Sequence, residues 1–276
     1  MRFFTLLLRG AQSFPLAVRN GFKHGFTGEA ARLAYFFFLS LFPLLLVLFA
    51  LSGYFGGAAS FHALIRAVED LVPQESAPML DRFASKLASE RRPDVLSVGL
   101  ALAAWSASGV FAALSEALNR IHGATHESGW LRRRLRAILL LAVVCALLAV
   151  AATGLLLLPS LLGVVGAAGL GNTAAGPVVF LLLAATLFLV FYLLPDRDLA
   201  RQRMETAVGA LFGTALLFLA AWGFRRYVHR IANFSAVYGV VAGAILLLIW
   251  MYVAALMILL AAELGAAISG GRKKAK

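Results

Sequence analysis

Apolar positions in this chain fall into long unbroken blocks, and polar positions crowd into the segments between them. A helix needs about 20 mainly apolar residues to cross a hydrocarbon core of about 30 Å, since each residue advances it by about 1.5 Å. Segments 33–56, 95–114, 206–224 and 237–262 meet that length directly. Between Ala137 and Leu194 there is no charged residue, which is too much chain for one crossing. The Gly-rich stretch 163–176, with Asn172 and ahead of Pro177, is the expected reversal point, because glycine lacks the Cβ that restricts φ. It divides the block into spans at 137–162 and 177–194. The pattern predicts an all-α membrane protein, a single membrane domain built as a bundle of six transmembrane helices.

The segments outside the spans add smaller elements. In the loop 57–94, Phe61, Leu64, Ile65 and Val68 recur at helical spacing, as do Leu80, Phe83 and Leu87, with breaks at Pro73 and Pro78. Two short amphipathic helices are expected there. In the N-terminal segment 1–32, Arg9 interrupts the apolar run Phe3–Leu8 too early for a signal peptide. The mixture of Phe and Leu with Arg2, Arg9, Arg19 and Lys23 reads either as an interfacial amphipathic helix or as a partly ordered tail.

Basic residues in short loops set the orientation of a bundle. With the N-terminus inside, the inner segments hold the four basic residues just named and Arg32, then Arg120 and the cluster Arg132, Arg133, Arg134 and Arg136. They also hold Arg197, Arg201 and Arg203, and the tail 263–276 with Arg272, Lys273, Lys274 and Lys276. The outer segments hold fewer: Arg66, Arg82, Lys86, Arg91, Arg92, Arg225, Arg226 and Arg230. The imbalance places both termini in the cytoplasm and the loop 57–94 outside.

Composition agrees with this reading. The chain is 62% hydrophobic and 14% charged, against roughly 45–50% and about 25% in soluble domains. Its formal net charge of +12 would suit a nucleic-acid binder, but the charge is dispersed between apolar blocks, so no nucleic acid is expected. The one cysteine, Cys145, lies in an apolar run and excludes an intrachain disulfide. His122 and His126 have i, i+4 spacing without an HExxH pattern, so neither a metal nor a cofactor is expected.

Several motifs resemble the YihY/BrkB family. Ala30-Ala31-Arg32-Leu33-Ala34-Tyr35 with Ser40-Leu41-Phe42-Pro43-Leu44-Leu45 is similar to its first span, and Trp105-Ser106-Ala107-Ser108 with Leu118-Asn119-Arg120-Ile121 to its second. Leu194-Pro195, Asn233-Phe234-Ser235-Ala236-Val237-Tyr238-Gly239, Leu248-Ile249-Trp250-Met251-Tyr252 and Ala262-Glu263-Leu264 follow in the family's order. Gly109-Val110 stands where Arg-Gly is more usual, and Ala261-Ala262 where Leu-Gly is common. The resemblance implies a six-span protein of the bacterial inner membrane. Some relatives carry an old ribonuclease label, and others are linked to virulence or envelope-lipid export.

Three groups of residues are candidates for function. Pro43 removes a backbone N–H and crowds the carbonyl of Leu39, so the first span is expected to kink or open, with Ser40 near enough to help the freed group. Hinge and static kink both remain open. Arg32 and Glu263 stand at the inner ends of the first and last spans, as a gate-closing salt bridge or as two independent interfacial charges. Arg225, Arg226 and Arg230, beside Asn233 and Tyr238 in a hairpin-like segment, either bind anionic ligands or headgroups or pair with the acidic outer loop. Tyr35, Trp105, Ser106 and Trp250 are candidate cavity walls, or else interface anchors. GxxxG spacing at Gly53/Gly57, Gly209/Gly213 and Gly239/Gly243 points to packing within the chain or to a homo-oligomer.

No nucleophile elbow, P-loop or dinucleotide fingerprint occurs, and the inner loops offer no converging carboxylates for a ribonuclease. The leading expectation is a non-enzymatic protein that transports or handles an envelope lipid or another amphiphilic or anionic solute. Its expected partners are membrane lipids, including anionic ones. A non-transporting scaffold in envelope biogenesis is the alternative, and a hydrolase the weaker rival.

Overall fold

The structure, a computed structural model, describes residues 2–55, 93–123, 129, 131–144, 146–147, 168–195, 203–231 and 235–274. Every regular element among them is a helix: α1 (Arg2–Lys23), α2 (Phe26–Phe55), α3 (Pro93–Ile121), α4 (131–144), α5 (Ala168–Leu193), α6 (Arg203–Ile231) and α7 (Ser235–Lys274). In hydrocarbon a helix pairs its backbone groups within one segment, which no isolated strand can do.

Among the described residues, four stretches are long and apolar enough to cross a membrane: Ser97–Ile121, Gly176–Leu193, Arg203–Val228 and Gly243–Ser269. They fall on the second, fourth, fifth and sixth spans expected from hydropathy. The segment expected to be the first span lies on α2. Of the third, the opening residues lie on α4 and at 146–147, and the remainder lies outside the described residues, as do nearly all of the loop 57–94 and its two expected helices.

The helices outrun their hydropathy windows, and three expectations change as a result. α5 begins at Ala168, so Gly169, Gly171, Asn172 and Gly176 are helical rather than part of a reversal. Helical backbone pairing overrides the low propensity of glycine there. α6 continues to Ile231, so Arg225, Arg226 and Arg230 ride on its last turns and not in a hairpin. α7 continues to Lys274, so the basic tail begins as helix. Likewise α2 is helical through position 43, without a break in its assignment.

Gly25, at φ 73°, makes the sharp turn between α1 and α2, a left-handed conformation that suits glycine. The ring of Phe26 then lies against Gly21, where a side chain would collide with it.

The chain divides into two compact units. One comprises Met1–Ala30, Phe111–Ala221 and Ala254–Lys276, and the other Ala31–Val110 and Trp222–Val253. In the first, α1 docks on α6 and α7: Ala17, Val208, Leu264 and Ile268 form a buried cluster, flanked by Leu6, Phe14, Phe212 and Leu260. The N-terminal segment is thus a packed helix and not a tail. α6 and α7 also approach closely here, since a Cβ on Gly209 would lie 2.9 Å from the Ala261 carbonyl oxygen and one on Gly213 2.6 Å from the Ala261 Cβ. The Gly209/Gly213 pair therefore serves packing within the chain. In the second unit Gly109 leaves room for Phe36, and Phe224 meets Trp250 at 5.3 Å between ring centroids.

Candidate functional site

Ionisable residues close to the helix ends of the first unit are drawn into pairs. α1 ends in Lys23-His24-Gly25, and the turn at Gly25 turns the imidazole of His24 toward α7, where Nδ1 meets Oε1 of Glu263. Glu263 is only 2% exposed and lies within the spanning stretch Gly243–Ser269. Burying a carboxylate there is costly unless a donor compensates it, and His24 is that donor.

Two arginine pairs stand in the same unit. Arg120, at the end of α3, donates from Nη1 to Oε1 of Glu29 on the first turn of α2 at 2.5 Å. Arg133, on the first turn of α4, donates from Nη1 to Oε1 of Glu116 on α3, also at 2.5 Å. The sequence order is unhelpful here: the partners are 91 and 17 residues apart. Arg203 adds a cation–π contact, its guanidinium 5.5 Å from the Tyr192 ring centre.

Uncharged polar groups lie deeper in the helices. Ser115 donates to the Leu194 carbonyl at 3.2 Å, tying α3 to the end of α5. Thr186 and Thr214 return their hydroxyls to carbonyls one turn back, at 2.8 and 2.9 Å. Asn119 and Glu205 are also buried, and both are hydrogen-bonded or paired.

His122 follows the last residue of α3. Its Nδ1–H donates to the Leu118 carbonyl at 2.8 Å, which also accepts the His122 backbone N–H at 3.1 Å, while Gly123 at φ 68° turns the chain away. Burial pushes its pKa below the ordinary imidazole value, with the hydrogen bond opposing more weakly. The folded protein therefore resists protonation that an unfolded chain accepts, and stability falls as pH drops below about 6.5. Replacing His122 with Gln is expected to flatten that acid limb in melting temperature against pH. An unchanged acid limb would show that His122 does not set it.

Glu263 takes His24 in place of the expected Arg32; Arg32 belongs to the second unit and has interactions of its own. Ser40 donates to the Phe37 carbonyl at 2.7 Å rather than to the Leu39 carbonyl that Pro43 frees. Arg225 and Arg226 are exposed near the end of α6, where cations also meet the negative end of the helix dipole. Arg230, Ser235 and Tyr238 lie on helices, whereas Asn233 is outside the described residues. Tyr35 and Trp105 are exposed, Ser106 is half-buried, and Trp250 packs on Phe224. Pairing of Arg225 and Arg226 with the acidic outer loop lies outside the described residues. The pairs of His24, Glu29 and Glu116 were missed, because loop and helix-end charges read as orientation signals. The sequence Lys23-His24-Gly25, a helix-ending pattern, was the available clue to where His24 stands.

The comparisons with known proteins agree with a membrane assignment. A family model described as virulence factor BrkB matches residues 18–276. A ribonuclease-like protein, YfkH of Bacillus subtilis, is 28% identical over 265 residues, covering 91% of this chain and 92% of its own. A UPF0761 membrane protein of Tolumonas auensis is 26% identical, covering 87% of this chain and 79% of its own. Another, of Aeromonas salmonicida, is 26% identical, with 91% and 87% covered. No solved structure matches. With a family match across nearly the whole chain and four apolar helices of spanning length among the described residues, this protein belongs to the BrkB family of membrane proteins.

Proposed function

We propose that this protein moves or handles an anionic amphiphile, such as an envelope lipid, and performs no covalent chemistry on it. The observation that carries the reading is the burial of two carboxylates toward the ends of helices of spanning length. Glu205, in the first turn of α6, and Glu263, near the end of the spanning stretch of α7, are 3% and 2% exposed. A buried ionisable residue on a spanning helix is costly and is a functional-site candidate by default. At the other end of α6, exposed Arg225 and Arg226 stand beside exposed Trp222 and Tyr227. Guanidinium groups beside amphipathic rings suit a phosphate or carboxylate headgroup at the membrane boundary.

In this reading the bundle has six crossings and both termini are cytoplasmic. The exposed arginines at the end of α6 then stand at the outer face.

Reconstitution tests the proposal. Purified protein in liposomes is expected to speed the transbilayer movement of a fluorescent phosphatidylglycerol above the rate in protein-free liposomes. Arg225→Gln with Arg226→Gln is expected to raise the half-saturating lipid concentration about tenfold, the worth of one charge-assisted hydrogen bond. Movement no faster than in empty liposomes, for every envelope lipid tried, would leave the scaffold reading in its place.

A further inference from the structure

α1 carries two faces with different fates. One packs on α6 and α7 through Leu6, Phe14 and Ala17, against Val208, Phe212, Leu260, Leu264 and Ile268. Val208 lies near the start of the spanning stretch Arg203–Val228, and Ile268 near the end of Gly243–Ser269. α1 is therefore fastened where two spans leave the apolar core.

The other face is Gln12, Leu16, Arg19, Phe22 and Lys23, all exposed. Spacings of three and four bring these residues onto one stripe, opposite the docked one. Leu16 is 48% exposed and Phe22 72% exposed, which is much apolar area for water to cover. Arg19 and Lys23 are interleaved with them and exposed as well.

We propose that this stripe is a contact surface for the anionic headgroup layer of the bilayer in which the chain sits. Leu16 and Phe22 reach the acyl boundary, and Arg19 and Lys23 meet phosphates. The choice of occupant follows from charge and position. A protein partner would gain from the apolar pair but would have to desolvate two cations. An anionic leaflet satisfies both, and the docking of α1 at the span ends already holds the stripe near that depth. The inference does not depend on transport, and its test involves no flux.

The probe is a bimane label at Gln12→Cys on a Cys145→Ser background, in liposomes containing brominated phosphatidylglycerol or brominated phosphatidylcholine. Bromine on lipid quenches the label only where the stripe touches lipid. Stronger quenching by the anionic lipid is expected, with little quenching by aqueous iodide. Arg19→Glu with Lys23→Glu is expected to lower the anionic preference by about 30-fold, since each cation near such a surface contributes about fivefold. Both side chains are exposed, so the variant keeps its fold, which an unchanged melting temperature verifies. Leu16→Ala with Phe22→Ala is expected to reduce quenching by both lipids. Equal quenching by the two lipids before and after charge reversal would overturn the proposal. So would a label shielded from both lipid and iodide, which would mean that protein covers the stripe.

Discussion

Replacing His24 with alanine is expected to destabilise the protein by about 3 kcal/mol, the low end of the range for leaving a buried carboxylate without its partner. The low end applies because the imidazole is 35% exposed and keeps some water, whereas the carboxylate of Glu263 at 2% has little to fall back on. The cost arises from the charge left behind, so changing its partner tells a different story. Glu263→Gln retains a polar group able to bond the imidazole without a buried charge, and its loss should be about 1 kcal/mol. The double variant His24→Ala with Glu263→Leu should recover most of the single His24→Ala loss, because nothing charged then remains buried. Melting temperatures of the purified variants give the cycle. Losses that simply add would show that the two side chains do not act on each other.

The second large effect is expected where α6 crosses α7. Gly213→Ala puts a methyl group 2.6 Å from the Ala261 Cβ, a distance that real Cβ atoms do not hold, so one helix must move. The Leu187 Cδ1 stands 3.3 Å away on another side and limits the escape. Overpacking of this kind costs about 1–3 kcal/mol. Because the obstacle is itself a methyl group, Gly213→Ala with Ala261→Gly is expected to restore the melting temperature. Gly209→Ala is not expected to be rescued by that change, since its Cβ would meet the Ala261 carbonyl oxygen at 2.9 Å, which glycine also carries. Rescue of both, or of neither, would mean that the close approach lies elsewhere.

Particular residues show how much of this was legible in the sequence. Charge-free length is what a bilayer selects for, so the helices that hold Ser97–Ile121, Gly176–Leu193, Arg203–Val228 and Gly243–Ser269 were visible as apolar runs. Helix ends were not, because a helix does not stop where the hydrocarbon does. Arg225 and Lys274 continue helices whose hydropathy has already fallen. α1 was visible only as one of two readings, since its apolar positions are interrupted by Arg9 and Arg19. What settles it is the small side chain of Ala17 and the absence of one at Gly10, which let it approach Phe212 and Val208. Glu263 stood out as a charge at a span end, but its partner did not. His24 is 239 residues away in sequence, and only the turn at Gly25 brings it near. Arg32 was the obvious choice by sign of charge. The imidazole, neutral or charged, was overlooked because histidine in a short loop resembles any other polar residue.

The proposed topology puts both termini in the cytoplasm and the C-terminal end of α6 on the outer side. Single cysteines on the Cys145→Ser background, probed in spheroplasts with a membrane-impermeant maleimide, test it most directly. Gln74→Cys and Asn233→Cys are expected to label in intact spheroplasts. Ser128→Cys and Gly270→Cys are expected to label only after permeabilisation. Labelling of Ser128→Cys or Gly270→Cys in intact spheroplasts, or of neither Gln74→Cys nor Asn233→Cys, would contradict the account.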